Sequence, residues 1–349
     1  MNLSSPSSSY IDADYRNNSL RDKSAESYGW VQPPQMLLHR FQAKLHGQLL
    51  GKQAVANKVI ICLLAGGHLL IEDVPGVGKT LLATSIARLL GGTFHRIQFT
   101  ADLMPADIVG GMVLDHSGRG LTYREGPIMA NVVLADELNR ASSRTQSALL
   151  EALEHGSVSI EGVSHPLPTP FAFIATQNPL RYEGTNRLIE AQLDRFMMQI
   201  SIGYPNQETE RELLGQFASG ARPKAEQLRA VISHDDWIQM QRELEAVYVH
   251  PSLLAYMSDV AAASRQDANL TLALSPRALR DWLRAAQASA YVQGRGYIVP
   301  DDLLELAENV LAHRIELTGI RQASTQKRDY IVQLLQRIPL VMRSKGRVQ

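Results

Sequence analysis

Residues 69 to 90 constrain this chain more than any other stretch. An apolar run, Leu69-Leu70-Ile71, leads into Asp73-Val74-Pro75-Gly76-Val77-Gly78-Lys79-Thr80, and a helix-like segment from Leu81 to Leu90 follows. Strand, glycine-containing loop and helix in that order belong to a parallel sheet covered by helices. Gly76 and Gly78 let the backbone curl so that successive N–H groups point inward. Lys79 adds a point charge, and Thr80 offers a hydroxyl for Mg²⁺ at a helix N-terminus, where the dipole favours phosphate. The loop is therefore a phosphate cradle. Asp73 stands where the strict pattern has its first glycine.

The same rhythm continues along the chain. Strand-like runs at Leu69–Glu72, Phe94–Phe99, Asn131–Ala135, Phe171–Thr176 and Phe196–Ile200 alternate with helical runs at 79–90, 144–154 and 190–194. This predicts an α/β fold, a parallel sheet with helices on both faces. Two stretches interrupt it, 112–123 and 157–165, each patterned as a hairpin, the second with Glu161-Gly162 at its turn. The α/β core spans residues 35–205. Residues 1–34, rich in Ser, Asn, Asp and Tyr, are expected to form a disordered arm. After Tyr204-Pro205 strand patterns stop, and residues 206–349 are expected to form a smaller all-helical domain, joined through the turn-prone stretch 219–223. Ser275-Pro276 and Val299-Pro300-Asp301-Asp302 are good helix starts in it. From Arg321 onward there are seven basic residues and one acidic, the pattern of a solvated, partly frayed basic tail.

Four apolar residues precede two carboxylates in Val132-Val133-Leu134-Ala135-Asp136-Glu137. That describes a buried strand ending at the sheet edge where α/β proteins bind ligands. Adjacent strand residues point to opposite sides, so Asp136 can face Mg²⁺ while Glu137 faces the space beyond a γ-phosphate as general base. Asn178 ends the next apolar strand, where a neutral amide can orient a water without competing for its proton. Arg195, in Asp194-Arg195-Phe196, and Arg277, in Ser275-Pro276-Arg277, are candidate cations for charge built up in phosphoryl transfer.

The order of these elements resembles the AAA+ ATPases. The strings Glu72 to Thr80, Leu134-Ala135-Asp136-Glu137-Leu138-Asn139-Arg140-Ala141, Ala175-Thr176-Gln177-Asn178-Pro179, Glu190 to Phe196 and Ser275-Pro276-Arg277 resemble the MoxR family, over residues 36 to 318. The resemblance implies an ATPase. In it Pro75, Gly76, Val77, Gly78, Lys79, Thr80 and Leu81 hold the ATP phosphates, and Thr80 and Asp136 hold Mg²⁺. Glu137 is then the base and Asn178 the sensor. The resemblance further implies that Arg195 is a finger reaching a neighbouring subunit's ATP, that Arg277 is the helical lid's sensor of nucleotide, and that Leu50 and Gly51 line the adenine pocket. It implies a homo-oligomeric, hexameric ring that remodels or metal-loads client proteins with von Willebrand factor A-type partners. Asp73 is usual in this family. One stretch departs from it: Gly184-Thr185-Asn186-Arg187-Leu188-Ile189 replaces a Gly-Thr-Tyr-Pro-Leu-Pro pattern, which should loosen the lead into Arg195.

Other functions fit less well. Lys and Arg (35) balance Asp and Glu (35), so no global field draws this chain to nucleic acid, and a nucleic-acid motor is disfavoured. A magnesium-chelatase-like ATPase subunit shares the motif order and stays open. Cys62 is the single cysteine, so no disulfide forms within the chain and core packing is its expected role. With no signal pattern and no membrane-length apolar stretch, a cytoplasmic location is expected.

Overall fold

The computed structural model of the chain describes residues 33–114, 120–178, 186, 188–220, 225–319 and 324–340. The expected disordered arm, save its last two residues, lies outside them.

Five parallel strands form the central sheet: β1 (Leu69–Glu72), β2 (Phe94–Gln98), β5 (Val132–Asp136), β8 (Ala172–Gln177) and β9 (Met198–Ile200), in the order β2-β5-β8-β1-β9. Alternation along each strand divides the core in two. Leu69, Ile71, Leu134, Ile174 and Ile200 point to one face, and Leu70, Val133, Ala135, Phe173 and Ala175 to the other. The first face is covered by α1 (Pro34–Gln48), α2 (Gln53–Leu64) and α3 (Lys79–Leu89), the second by α5 (Ser143–His155) through Leu149, Leu150 and Leu153. Each fully buried Leu or Ile contributes roughly 1.5–3 kcal/mol. Cys62 is one of these core residues, and burial pushes its thiol pKa up.

Both hairpins are present. β3 (Gly110–Leu114) pairs with β4 (Leu121–Glu125), and β6 (Ser157–Ile160) pairs with β7 (Val163–Pro166). The Tyr123 and His165 rings stack at 4.1 Å between centroids, which ties the two hairpins together.

The helical part departs from expectation in three ways. It is not all-helical, because β10 (Leu270–Leu272) and β11 (Glu316–Leu317) pair antiparallel; runs of two and three residues are too short to register as a period. Nor is its core separate. α8 (His234–Glu243), α9 (Pro251–Gln266), α10 (Pro276–Val292) and α11 (Pro300–Leu311) add Trp237, Val260, Trp282 and Leu306 to the same apolar cluster as the first face of the sheet. The basic stretch after Arg321 also holds more structure than a frayed tail. Ser324–Arg337 forms α12, with Tyr330, Ile331 and Leu334 buried and Lys327 paired with Glu316. The periodic apolar residues decide this segment: Lys327 is buried beside its Glu316 partner, while Asp329 and Arg337 stay exposed.

No helix among the described residues is long and apolar enough to cross a membrane.

Candidate active site

A cleft of about 420 Å³ opens at the C-terminal edge of the sheet. The loop after β1 forms one wall, through Pro75, Gly76, Gly78, Lys79, Thr80 and Leu81. Arg96 and Gln98 of β2, Asp136 at the end of β5, Glu137 after it and Asn178 after β8 form the other. Strand order explains the meeting. β8 separates β1 from β5, so the loop and Asp136 stand two strands apart, about 10 Å, with Asn178 between them.

Gly76 and Gly78 have φ of 88° and 96°, the left-handed region that the cradle's curl requires. Gly78 caps α3, whose first residues are Lys79 and Thr80. The Lys79 ammonium donates to the Asp73 carbonyl at 3.0 Å. Burial lowers its pKa, opposed by the nearby Asp136, Asp73 and Glu137 carboxylates. Val77 does not line the cleft; it packs against the core behind it.

Asp73 has a structural task that the motif did not disclose. Its buried carboxylate accepts from the backbone N–H groups of Ile202 and Gly203, both at 2.7 Å, from the Ser201 hydroxyl at 3.2 Å and from the Val74 N–H at 2.9 Å. The loop's entry is thereby fastened to the segment leaving β9. A glycine there would leave those donors bare.

Strand alternation does not set the positions of Asp136 and Glu137, which line the same cleft. The strand ends at Asp136, and Glu137 sits at φ 58°, ψ 46°, a left-handed conformation uncommon for a side-chain-bearing residue. Thr176 of β8 holds this turn. Its hydroxyl donates to Asp136 Oδ1 at 2.7 Å and accepts from the Glu137 N–H at 2.9 Å. The other Asp136 oxygen, Oδ2, accepts from Arg96, and Glu137 Oε2 accepts from Gln98 at 3.2 Å and pairs with Arg140 at 3.0 Å. Local backbone strain of this kind, held by hydrogen bonds, concentrates at functional sites.

Oxygen donors Thr80 and Asp136 share the cleft, which suits a hard divalent cation arriving with phosphate rather than one in an all-protein cage. Among the described residues no group of three or more His, Cys, Asp or Glu gathers to form such a cage.

Arg195 and Arg277 do not line this cleft. They share one carboxylate instead. Glu154, near the end of α5, accepts from Arg195 Nε at 3.0 Å and Nη2 at 2.7 Å on one oxygen, and from Arg277 Nη1 at 3.4 Å on the other. The two guanidiniums hold the Glu154 carboxyl below the usual carboxylate range, Arg195 being the larger cause. The adjoining backbone is braced as well. The buried Arg314 donates to the Phe196 carbonyl and to Asp281 and lies 3.6 Å from Asp194, while the Ser275 hydroxyl donates to Asp194 at 3.3 Å. The segments carrying the two arginines thus form one seam between sheet and helical part. The expected loosening before Arg195 does not extend to Asn186, which donates to the carbonyls of Asn139 at 2.6 Å and Ala141 at 3.0 Å; residues 184, 185 and 187 lie outside the described residues.

Leu50 and Gly51 sit at the α1–α2 junction and do not line the cleft. Gly51, at φ +69°, is pressed against Thr209 of α7 (Gln207–Ala218), where an added Cβ would meet the hydroxyl at 2.6 Å. Sequence reasoning passed over Arg96, Gln98, Thr176 and Glu154. Gln98 and Thr176 stand at or beside the ends of their strands, a position that could have marked them; nothing in the pattern marks Glu154.

Known proteins resemble this arrangement. The ATPase family associated with various cellular activities (AAA) matches residues 68–198, and the AAA lid domain matches residues 262–335. An uncharacterized protein YeaC of Bacillus subtilis is 43% identical, over 80% of this chain and 87% of its own length. Chaperone MoxR1 of Mycobacterium tuberculosis is 40% identical, over 77% and 73% respectively. A crystal structure from Cytophaga hutchinsonii, described provisionally as an ATPase, superposes with a TM-score of 0.77 at 33% identity, covering 86% of this chain and 94% of that one.

Proposed function

This chain belongs to the MoxR family of AAA+ ATPases, and from that premise we propose that it hydrolyses ATP with Mg²⁺ in a ring whose sites are shared between neighbouring subunits. The observation that carries the reading is the single cleft joining the Gly76–Leu81 loop to Asp136, Glu137 and Asn178. Loop N–H groups and Lys79 bind the phosphates, and Thr80 with Asp136 hold the cation. That cation screens the phosphate charge when bound. Glu137 takes the proton of the attacking water, and Asn178 orients that water.

The position of the arginines supports sharing. Arg195 and Arg277 lie outside their own subunit's cleft, paired across Glu154. Glu154 holds both guanidiniums at the seam, and a neighbour's ATP would take them over from it. Under this reading Arg277 acts beside Arg195 toward the neighbour, not on its own subunit's nucleotide. The ring is hexameric by family resemblance. The work done is remodelling or metal loading of client proteins, with von Willebrand factor A-type partners. The chaperone name of the Mycobacterium tuberculosis relative and the two coupled hairpins support it.

Mixed rings test the sharing. Lys79→Ala chains lack a working cleft and Arg195→Ala chains lack a finger, so each alone should be nearly inactive. A mixture should recover part of the ATP turnover, because some interfaces unite an intact cleft with an intact finger. No recovery in rings confirmed to be mixed would refute sharing.

A further inference from the structure

We propose that Arg96 competes with the metal ion for Asp136: its guanidinium occupies both acceptor positions of Oδ2, and a divalent cation that takes that oxygen displaces it. The inference rests on the reading of Asp136 as a cation ligand.

The two oxygens of Asp136 differ. Oδ1 accepts one bond, from the Thr176 hydroxyl at 2.7 Å, and that hydroxyl is itself fixed by the Glu137 N–H, which holds Oδ1 against β8. Oδ2 accepts two bonds from Arg96, from Nη2 at 2.6 Å and Nε at 3.2 Å. An oxygen that takes both branches of a guanidinium has no lone pair free for a metal ion. One partner has to move, and exposure shows which. The Asp136 side chain is 15% exposed and pinned by β8, whereas the Arg96 side chain is 49% exposed on β2 at the end of the sheet order. Arg96 is the partner that water can receive.

A displaced Arg96 would stay in the cleft. Its Nη2 also donates to Gln98 Oε1 at 3.1 Å, and Gln98, Arg96 and Thr80 all line the same space. Arg140 provides a matched control. It is exposed to a similar degree, 47%, and pairs with Glu137 Oε2 at 3.0 Å, not with Asp136. Neutralising it removes one positive charge, the one paired with the cleft's Glu137, without opening Asp136 Oδ2.

The test is Mn²⁺ binding to the full chain without nucleotide, with free Mn²⁺ followed by electron paramagnetic resonance. Arg96→Gln should bind Mn²⁺ about two- to fivefold more tightly than the parent, the range set by an exposed ion pair. Arg140→Gln should gain less than half of that, and Arg96→Lys, which keeps the charge and loses the fork, should fall between parent and Arg96→Gln. Equal gains in Arg96→Gln and Arg140→Gln would overturn the proposal in favour of bulk charge. No gain in Arg96→Gln, or no bound Mn²⁺ in it at all, overturns it too. Asp136→Asn separates the layers. If it abolishes Mn²⁺ binding while Arg96→Gln changes nothing, only the competition is wrong. If binding survives Asp136→Asn, the cation-site reading and the proposal both fall.

Discussion

Replacing Asp73 by alanine removes the acceptor that fastens the phosphate loop to the end of β9. The Ile202 and Gly203 N–H groups each donate to its carboxylate at 2.7 Å, and Ile202 is almost fully buried. Hydrogen bonds to a charged acceptor contribute about 1.5–3 kcal/mol each, and a buried N–H left bare forfeits about 1–3 kcal/mol. Water can reach part of the vacated space, and the weaker Ser201 and Val74 bonds add little. Asp73→Ala should therefore destabilise the chain by about 3–5 kcal/mol, and Asp73→Asn, which keeps one carbonyl oxygen, by about 1–2 kcal/mol. Urea unfolding measures both through the midpoint at unchanged slope. Asp73→Gly is the sharper case. It restores the strict loop pattern, so motif matching expects no harm, whereas the hydrogen bonds predict a loss at least equal to that of alanine. A loss below about 1 kcal/mol for the alanine or glycine variant, less than one such bond contributes, would refute the account of Asp73.

Acid should weaken the chain well before its carboxylates titrate. Burial lowers the pKa of His68 from 6.5 to about 4 and, with help from Arg314, that of His313 to about 3. The unfolded chain takes up these protons first, so stability is complete above about pH 6.5 and falls as pH drops toward 4, by roughly 1.4 kcal/mol per pH unit for each histidine. Urea midpoints at pH 7 and pH 5 check this, and equal midpoints would contradict it. Gly51→Ala should cost about 1–2 kcal/mol for the left-handed backbone alone, and more for the contact with Thr209. Pairing it with Thr209→Ala should return only the contact's share in the same unfolding assay, and full recovery would contradict the backbone argument.

Much of the fold was legible because its determinants are local and periodic. The βα alternation, the glycines of the loop and Pro276 and Pro300 at helix starts each declare themselves within a few residues. Both helices start where the sequence suggests, and the structure adds their caps: Ser275 accepts from the Ala278 N–H and Asp302 from the Val299 N–H. The cleft's Lys79, Thr80, Asp136, Glu137 and Asn178 were legible for the same reason, since strand ends on one sheet converge. What escaped depends on pairings between distant segments. Asp73 looked like a departure from the loop pattern until Ile202 and Gly203 came beside it. Glu154 is an ordinary helix carboxylate until β9's approach and α10's start deliver two arginines to it. The placement of Arg277 could not be read either, because it depends on how the helical part packs onto the sheet, and the shared core with Trp237 and Trp282 decides that. Glu137 lines the cleft through a left-handed turn held by Thr176, where the sequence suggests strand alternation.

The central claim is that this cleft hydrolyses ATP with Glu137 as base. Glu137→Gln tests it most directly, because the amide keeps the size and cannot take the proton. ATP binding, read by a fluorescent ATP analogue, should stay within a few-fold of the parent, while steady-state turnover should fall by about 10²- to 10⁴-fold, the range for a general base. Turnover at the parental rate with binding intact would contradict the account.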